Sequence, residues 1–351
     1  MKVLPGLLLA VALAVLGNIL ADYIAAALGF GHGAISGIMV AILLGLALGN
    51  LAKLPEAFSA GISFAVKRVL RLGIVLLGLR LSLAEVGSIG LKTLPVVLVT
   101  VPAAILIVSY LGKRIQLSDR LATLIAVGTS ICGNTAIVAV APTIGAKDEE
   151  TSYAVACITV FGLVAMLAYP FAAHWLFGGD AFSAGLFLGT AVHDTSQVAG
   201  AGMVYQQFYN APEALDVATV AKLERNLSML VIIPLMAIMF HRRAATGKAP
   251  PAWWTLVPLF VVGFAVMSAI RSIGDLGGDR PFGLLDAGQW KSFLSFASTV
   301  VTYCLAIAMA GVGLGTSIKG LRTIGLKPLG LGLLSALIVG AISFALIKTL
   351  Y

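Results

Sequence analysis

The chain has 351 residues, of which 60% are hydrophobic and only 11% are charged. Soluble domains carry roughly 25% charged residues, so the composition excludes an ordinary soluble domain, which would need a polar surface that this sequence does not supply. The formal net charge of +8 is expected to reflect lysine and arginine in cytoplasmic loops rather than binding of nucleic acid. The composition therefore predicts an all-α polytopic membrane protein with the lipid bilayer as its surroundings.

A membrane-spanning helix needs about 20 mostly apolar residues, and eleven segments approach or exceed that length in this chain. None of them alternates apolar and polar residues as the strands of a membrane barrel do, so we predict helices throughout and 9 to 11 crossings. In chain order the predicted segments are 3–27, 34–51, 66–84, 93–111, 118–144, 150–176, 181–207, 215–240, 254–271, 292–316 and 328–350.

Lysine and arginine are concentrated in alternate connections between the predicted spans. The positive-inside rule places these connections, and with them the N-terminus, in the cytoplasm. An odd number of crossings then places the C-terminus outside. The residues concerned are Lys53, Lys67, Arg68, Arg71, Lys113, Arg114, Arg120, Arg242, Arg243, Lys248, Lys319, Arg322 and Lys327.

An internal repeat relates residues 78–94 to residues 313–329 without gaps. The identical residues are Gly, Leu, Ser, Ile, Gly, Leu, Lys and Leu, and an apolar span follows each copy. The copies begin at the third and tenth segments, so they are predicted to run in opposite senses through the bilayer. Inverted repeats of this kind are typical of secondary transporters.

Polar residues interrupt the centres of two predicted spans, at Gly128–Ala136 and at Gly189–Gln197. Freed backbone groups cost several kcal/mol each in hydrocarbon, and the N-terminus of a half-helix presents donors and partial positive charge. Two such breaks are predicted to form a site for a small anion, although packing of small residues also explains isolated glycines. The candidate substrate-binding residues are Thr129, Ser130, Cys132, Gly133, Asn134 and Thr135 of the first break and Thr195, Ser196 and Gln197 of the second.

Some of these residues have simpler roles as alternatives. Asn134, Thr195 and Ser196 are residue types that cap helices, so we expect them where the second half-helices begin. Cys132 is expected to be a small packing residue, because a metal site needs more ligands than its surroundings offer.

Four ionisable residues lie in or near the breaks. Asp194 is predicted to carry a coupling proton or bind a cation, and His193 to titrate near neutral pH; a structural pair that satisfies its neighbours is the alternative. Lys222 and Arg225 share a helix face, and either extend to the lipid headgroups or attract an anionic substrate. No cofactor or metal is expected beyond a coupling ion, H⁺ or Na⁺.

Four motifs of the chain are shared with one family: Gly128-Thr-Ser-Ile-Cys-Gly-Asn-Thr-Ala-Ile137, Ala146-Lys-Asp-Glu-Glu150, Gly189-Thr-Ala-Val-His-Asp-Thr-Ser-Gln-Val198 and Lys222-Leu-Glu-Arg225. They resemble the YeiH family of bacterial inner-membrane proteins, whose members are commonly labelled sulfate or sulfite exporters. The resemblance covers nearly the whole chain and implies a location in the bacterial inner membrane.

More distantly, Gly78-Leu-Arg-Leu-Ser82 followed by the first break is similar to the bile acid symporter and cation/proton antiporter superfamily. That likeness implies a core that moves against panel helices within a single domain, 1–351, and a homodimer formed by the panels. The core is assigned to 66–207 with 215–240, and the panel to 1–52 and 254–290. The second break departs from the superfamily by following the first after a single span. Crossing helices so placed would be parallel, whereas re-entrant hairpins would enter from opposite sides.

The leading functional hypothesis is a secondary active transporter that exports a small anion, such as sulfite or sulfate, by alternating access. The alternatives are a cation/proton antiporter that uses Asp194 and a non-transporting membrane sensor or subunit. No arrangement of a nucleophile with a base, and no metal-binding pattern, indicates an enzyme.

Overall fold

The computed structural model describes residues 2–27, 35–52, 54–241, 257–278, 280–317 and 325–351. Within these ranges the chain is helical and contains no strand, which confirms the all-α prediction. Six of the cations used to predict orientation lie outside the described residues: Lys53, Arg242, Arg243, Lys248, Lys319 and Arg322.

Most helices follow the predicted segments, and the two interrupted segments are each divided into two helices. The predicted segment 66–84 instead corresponds to helices at Ser59–Phe64 and Leu70–Leu77, the helix predicted at 93–111 begins at Leu83, and the segment 215–240 is also divided. Short 3₁₀ or π turns flank α3 and α4 at Glu56–Phe58, Ala65–Val69 and Gly78–Arg80. The helices are α1 (Leu4–Ala27), α2 (Gly37–Leu51), α3 (Ser59–Phe64), α4 (Leu70–Leu77), α5 (Leu83–Arg114), α6 (Asp119–Ser130), α7 (Asn134–Val140), α8 (Asp148–Leu176), α9 (Ala181–Ala191), α10 (Thr195–Tyr209), α11 (Pro212–Leu227), α12 (Met229–His241), α13 (Leu259–Leu276), α14 (Ala287–Gly315) and α15 (Leu326–Leu350).

Seven helices in the described part of the chain are long and apolar enough to cross a membrane. Helices satisfy their own backbone hydrogen bonds, which is the requirement that hydrocarbon imposes. Large apolar side chains such as Leu98 and Leu337 are exposed on them, as a lipid-facing surface requires. The seven are Leu4–Ala27, Leu83–Arg114, Asp148–Leu176, Pro212–Phe240, Leu259–Leu276, Ala287–Gly315 and Leu326–Leu350, and two shorter apolar helices are Gly37–Leu51 and Ala181–Ala191.

The chain forms two compact units, each assembled from separate stretches. The first unit comprises Met1–Lys92, Gly202–Asp216 and Leu259–Ser317, and the second comprises Thr93–Ala201, Val217–Pro258 and Ile318–Tyr351. The chain passes from the first unit to the second once within residues 78–94 and again within 313–329. Each copy of the sequence repeat therefore contains a passage from the first unit to the second, at a different position of the repeat. Residues 318–324 of the later copy lie outside the described part.

Glycines bring helices close together in the first unit. A Cβ atom on Gly17 would lie 2.8 Å from the Ala41 Cβ, and one on Gly45 would lie 2.5 Å from the Ala310 carbonyl oxygen. Helices α1, α2 and α14 therefore pack through small residues, as is common in membranes.

Two short helices are enclosed in the second unit except at their first two residues. Every residue of α6 from Leu121 to Ser130 is buried, and so is every residue of α9 from Ser183 to Ala191. Irregular backbone is tolerated at membrane depth where protein surrounds it. The ends of α6 and α9, where the two breaks begin, are placed in such surroundings.

Candidate functional site

The structure confirms that two predicted spans are discontinuous and brings their breaks together. Helix α6 ends at Ser130 and α7 begins at Asn134, while α9 ends at Ala191 and α10 begins at Thr195. A Cβ atom on Gly133 would lie 2.7 Å from Asp194 Oδ2 and 3.0 Å from Asp194 Cα. The two polar stretches, about 60 residues apart in sequence, thus contact each other inside the second unit.

The first break depends on glycine and lacks a side-chain cap. Gly133 has φ +69° and ψ −128°, a conformation that glycine adopts without steric cost, and occupies the N-cap position of α7. The prediction that Asn134 caps this helix is wrong. Asn134 is the first residue of α7, where its side chain turns to a neighbouring helix instead.

The orientation of the Asn134 amide follows from its partner. Asn134 Nδ2 donates to Thr159 Oγ1 at 3.1 Å, and Thr159 Oγ1 donates its single proton to the Val155 carbonyl at 2.8 Å. Because Thr159 has no second proton to give, the Asn134 nitrogen must face it. Asn134 Oδ1 is consequently buried and has no hydrogen-bond partner in the described part of the chain.

The second break carries a side-chain cap at the start of α10. Asp194 Oδ1 accepts hydrogen bonds from Ser196 N at 2.9 Å and Ser196 Oγ at 2.7 Å, and Gln197 Oε1 accepts one from Asp194 N at 3.1 Å. Gln197 Nε2 also donates to the Thr159 carbonyl at 3.0 Å. The prediction that Thr195 or Ser196 caps α10 is therefore wrong. Asp194 is the cap, and the Asp-x-x-Gln spacing was the sequence signal for it.

Lys222 lies on α11 and reaches both breaks. Its side chain is buried, with 1% of its surface exposed. The Nζ atom donates to the carbonyl of Ile131 at 2.8 Å, to that of Val192 at 3.4 Å and to that of His193. Lys222 thus holds the carbonyl groups that the breaks release from helical pairing.

Arg225, one turn later, is fully buried and binds the same two helix ends. Cations are favoured there, because unpaired carbonyl groups give the C-terminus of a helix a partial negative charge. The hydrogen bonds of Lys222 and Arg225 hold both side chains inside the second unit, which argues against the prediction that they extend to the lipid headgroups. Arg225 Nε donates to Ser130 O at 3.0 Å, Nη2 to Thr129 O at 2.7 Å, and Nη1 to Gly189 O, Thr190 O and Val192 O at 2.9, 2.8 and 2.9 Å.

Two further polar side chains at the second break have unused hydrogen-bonding groups. His193 is fully buried, and within the described ranges neither ring nitrogen makes a hydrogen bond of ordinary geometry, although the Thr129 backbone lies beside the ring. Asn226 is also buried; its Nδ2 donates to Thr195 Oγ1 at 3.4 Å, and its Oδ1 has no partner among the described residues. Neither Asn226 nor its unsatisfied oxygen was anticipated from the sequence.

The side chains of the other predicted binding residues either contact groups away from the meeting point of the breaks or are exposed. Thr129 Oγ1 and Ser130 Oγ donate to carbonyl groups of their own helix at 2.8 and 2.6 Å, as hydroxyls within helices commonly do. Cys132 Sγ lies 3.4 Å from Met229 Sδ, in agreement with a packing role. Thr135 is exposed. The residues that the structure brings together at the breaks are therefore Gly133, Asn134, His193, Asp194, Lys222, Arg225 and Asn226.

Comparison with known proteins identifies relatives along most of the chain. The family model described as Conserved hypothetical protein 698 matches residues 5–332. A UPF0324 membrane protein of Fusobacterium nucleatum is 32% identical over 91% of this chain and 91% of its own length. One from Bacillus cereus is 31% identical over 89% and 84%, and one from Agrobacterium fabrum is 36% identical over 90% and 85%. No solved structure matches. The chain belongs to the UPF0324 family of membrane proteins, which is the YeiH family that its motifs resemble.

Proposed function

We propose that the protein is a secondary active transporter that exports a small anion, such as sulfite or sulfate, across the bacterial inner membrane by alternating access. One observation carries this proposal. Lys222 and Arg225 are buried at the meeting point of the two breaks, and among the described residues no ion pair joins either of them to a carboxylate.

The buried positive charge of Lys222 and Arg225 favours the binding of an anion. A buried charge costs several kcal/mol unless it is paired and hydrogen-bonded. The carbonyl groups that receive Lys222 and Arg225 offset part of that cost, and Asp194 supplies one negative charge beside the breaks. A small bound anion would place negative charge directly against the two cations, which no carboxylate of the described residues contacts in an ion pair.

The unsatisfied polar groups support a ligand at the same place. A buried polar group without a partner costs about 1–3 kcal/mol, and three side chains around the breaks contain such groups: Asn134, His193 and Asn226. A ligand that brings both oxygen atoms and a proton would satisfy groups of this kind. Hydrogen sulfite has both.

The proposal is tested by flux of radiolabelled sulfite and sulfate into proteoliposomes, with protein-free liposomes as the background. Lys222→Gln removes one charge at the breaks, and the matched control Lys113→Gln removes an exposed charge at the end of α5. We expect Lys222→Gln to lower flux at least about tenfold and Lys113→Gln to leave it unchanged. Wild-type flux of a folded Lys222→Gln variant, or flux unaffected by Asp194→Asn combined with Asn134→Ala, would contradict the proposed site.

A cation/proton antiporter is the second candidate, and a specific observation favours it. The unpartnered groups of Asn134 and Asn226 are oxygen atoms. Asn134 follows Gly133, which approaches Asp194, and Asn226 donates to Thr195, which follows Asp194. Oxygen ligands suit hard cations. This function demands Na⁺- or K⁺-dependent proton movement in vesicles that contain no transportable anion. A thermal-shift screen of anions against cations separates the two, because the ligand that binds the folded state raises the melting temperature.

Topology and assembly belong to the same proposal. The N-terminus would lie in the cytoplasm and the C-terminus outside, and two copies would pair through panel helices. Reporter fusions at each end test the orientation, and the mass of the purified protein in detergent tests the dimer.

A further inference from the structure

Glu224 is a carboxyl group at membrane depth that the breaks do not use. It lies on α11 between Lys222 and Arg225 in sequence but on a different helix face, because successive residues are turned by about 100°. Its side chain is half-buried, and its Oε2 accepts a hydrogen bond from Thr93 Oγ1 of α5 at 2.8 Å. The helix Pro212–Phe240 that contains it is one of the membrane-spanning candidates.

The charge of Glu224 is not matched by an ion pair in the described part of the chain. On α5 the neighbouring Lys92 is exposed, and on its own helix Lys222 and Arg225 bind carbonyl groups of the breaks. An ionisable residue at membrane depth is costly and marks function by default. The Thr93 hydroxyl suits both charge states, since a hydroxyl donates to a carboxylate and accepts from a carboxylic acid.

The charges at the breaks and on α11, counted together, indicate what Glu224 does. With a neutral His193 imidazole, the empty protein has two cations, Lys222 and Arg225, and two carboxylates, Asp194 and Glu224, so the group is neutral. A bound monoanion alone would leave one excess negative charge, and a proton alone on Glu224 would leave one excess positive charge. A monoanion together with a proton on Glu224 restores neutrality. Unbalanced charge in the membrane interior is expensive, so the empty and the doubly loaded forms are favoured.

We propose that Glu224 takes up a proton together with each transported monoanion, which makes the protein a proton–anion symporter for an oxyanion such as hydrogen sulfite. This inference rests on the anion transport proposed above. The proton binds a carboxylate oxygen of Glu224 when the anion enters and leaves when the anion leaves, so each cycle moves one proton and one negative charge in the same direction. The anion gradient and the pH gradient together then set the direction, which is outward when the anion accumulates inside.

The first experiment, in proteoliposomes, separates the conformational change of the substrate-bound protein from that of the empty protein. Glu224→Gln mimics the protonated side chain permanently, so the loaded form stays neutral whereas the empty form carries one excess positive charge. We expect exchange of labelled for unlabelled sulfite to stay within about twofold of wild type, and net sulfite uptake driven by a pH gradient to fall at least about tenfold. Glu224→Asp should recover part of the net uptake, and the exposed Glu213→Gln on the same helix should behave as wild type.

A second measurement uses the wild-type protein and does not depend on a variant that folds. A sulfite gradient should drive protons in the same direction as sulfite, read with a pH-sensitive dye inside the vesicles. With hydrogen sulfite the flux should be insensitive to a membrane potential imposed with potassium and valinomycin.

The outcomes distinguish the two proposals. Net sulfite uptake by the wild type without accompanying proton movement, or unchanged net uptake in Glu224→Gln, would overturn the role of Glu224 and leave anion transport standing. Complete absence of exchange of sulfite and of sulfate by the wild type would overturn the anion-transport proposal and this inference with it.

Discussion

The two breaks perform the same task, the interruption of a helix inside the protein, by different chemistry. At the first break, Gly133 supplies a backbone conformation with φ +69°, and α7 starts without a side-chain cap. At the second, the Asp194 carboxylate accepts from Ser196 N, and the Gln197 side chain accepts from Asp194 N, at the start of α10. The first break therefore leaves Asn134 with an unpartnered oxygen, whereas the carboxylate of the second is already engaged in its own helix.

The comparison shows that polarity at membrane depth is not by itself evidence of ligand binding. Gln197 is among the most polar residues of the second break, yet its amide oxygen and nitrogen both have protein partners. The opposite, C-terminal sides of the breaks are alike, because Lys222 and Arg225 bind the released carbonyl groups of α6 and α9 together. Substitutions can therefore separate what the breaks share from what distinguishes them.

The shared side is tested by Arg225→Gln, for which we expect the largest effect. The substitution leaves carbonyl groups of both breaks without their donor, and a buried unsatisfied group costs about 1–3 kcal/mol each. We expect a loss of at least about 3 kcal/mol in the free energy of unfolding, seen as a lower melting temperature in detergent. Arg114→Gln, at the exposed end of α5, is the matched control. An unchanged melting temperature for Arg225→Gln would refute the shared anchor.

The first break is tested by Gly133→Ala. The new Cβ would lie 2.7 Å from Asp194 Oδ2 in a backbone conformation that L-residues avoid, so strain and steric overlap add to about 2 kcal/mol or more. We expect a lower melting temperature and loss of flux. Gly87→Ala is the control, because that exposed helical glycine has no atom within 4 Å of a new Cβ. Equal behaviour of the two variants would contradict the close approach of the breaks.

The second break is tested by comparing Asp194→Ala with Asp194→Asn. Alanine removes the cap at a cost of about 1 kcal/mol, whereas asparagine caps nearly as well as aspartate. We therefore expect the melting temperature to fall for alanine and to remain near the wild-type value for asparagine. Loss of flux in the stable Asp194→Asn variant would assign the charge, rather than the cap, to transport. Equal destabilisation by both substitutions would exclude the capping role.

The smallest effect on stability is expected for Asn134→Ala. The substitution removes one hydrogen bond to Thr159, worth about 1 kcal/mol, and its unpartnered oxygen disappears without loss. If the first break receives the ligand, the sulfite-induced rise in melting temperature should nevertheless vanish. Asn226→Ala is the companion variant at the second break. A normal ligand response from both variants would remove these amides from the site.

Much of this architecture was readable in the sequence. The hydrophobic segments predict the helices because hydrocarbon demands long apolar stretches with internal backbone bonding, and α1 and α8 begin and end within two residues of the prediction. The breaks are visible because Gly128–Ala136 and Gly189–Gln197 interrupt such stretches with polar residues. The cap of α10 was also present as the Asp194-x-x-Gln197 spacing, a local pattern that involves neighbouring residues only.

The positions of the Lys222 and Arg225 side chains could not be predicted from the sequence. Lys222 and Arg225 fit a headgroup location and a buried one equally well, because a lysine or arginine side chain near a helix end can reach either. The unpartnered groups of Asn134, His193 and Asn226 could not be predicted either, because whether a polar group has a partner depends on residues far away in sequence. The bond from Lys222 to the carbonyl of Ile131, 91 residues earlier, illustrates such a distance.

The sequence by itself determined that this is an all-α membrane protein with two interrupted helices, because local composition sets what hydrocarbon accepts. Only the tertiary structure decided that the interruptions meet, that Asp194 faces Gly133, and that two buried cations hold both helix ends. Those facts depend on contacts between distant segments of the chain, and charge balance in a water-poor interior makes those contacts the place where an anion is expected to bind.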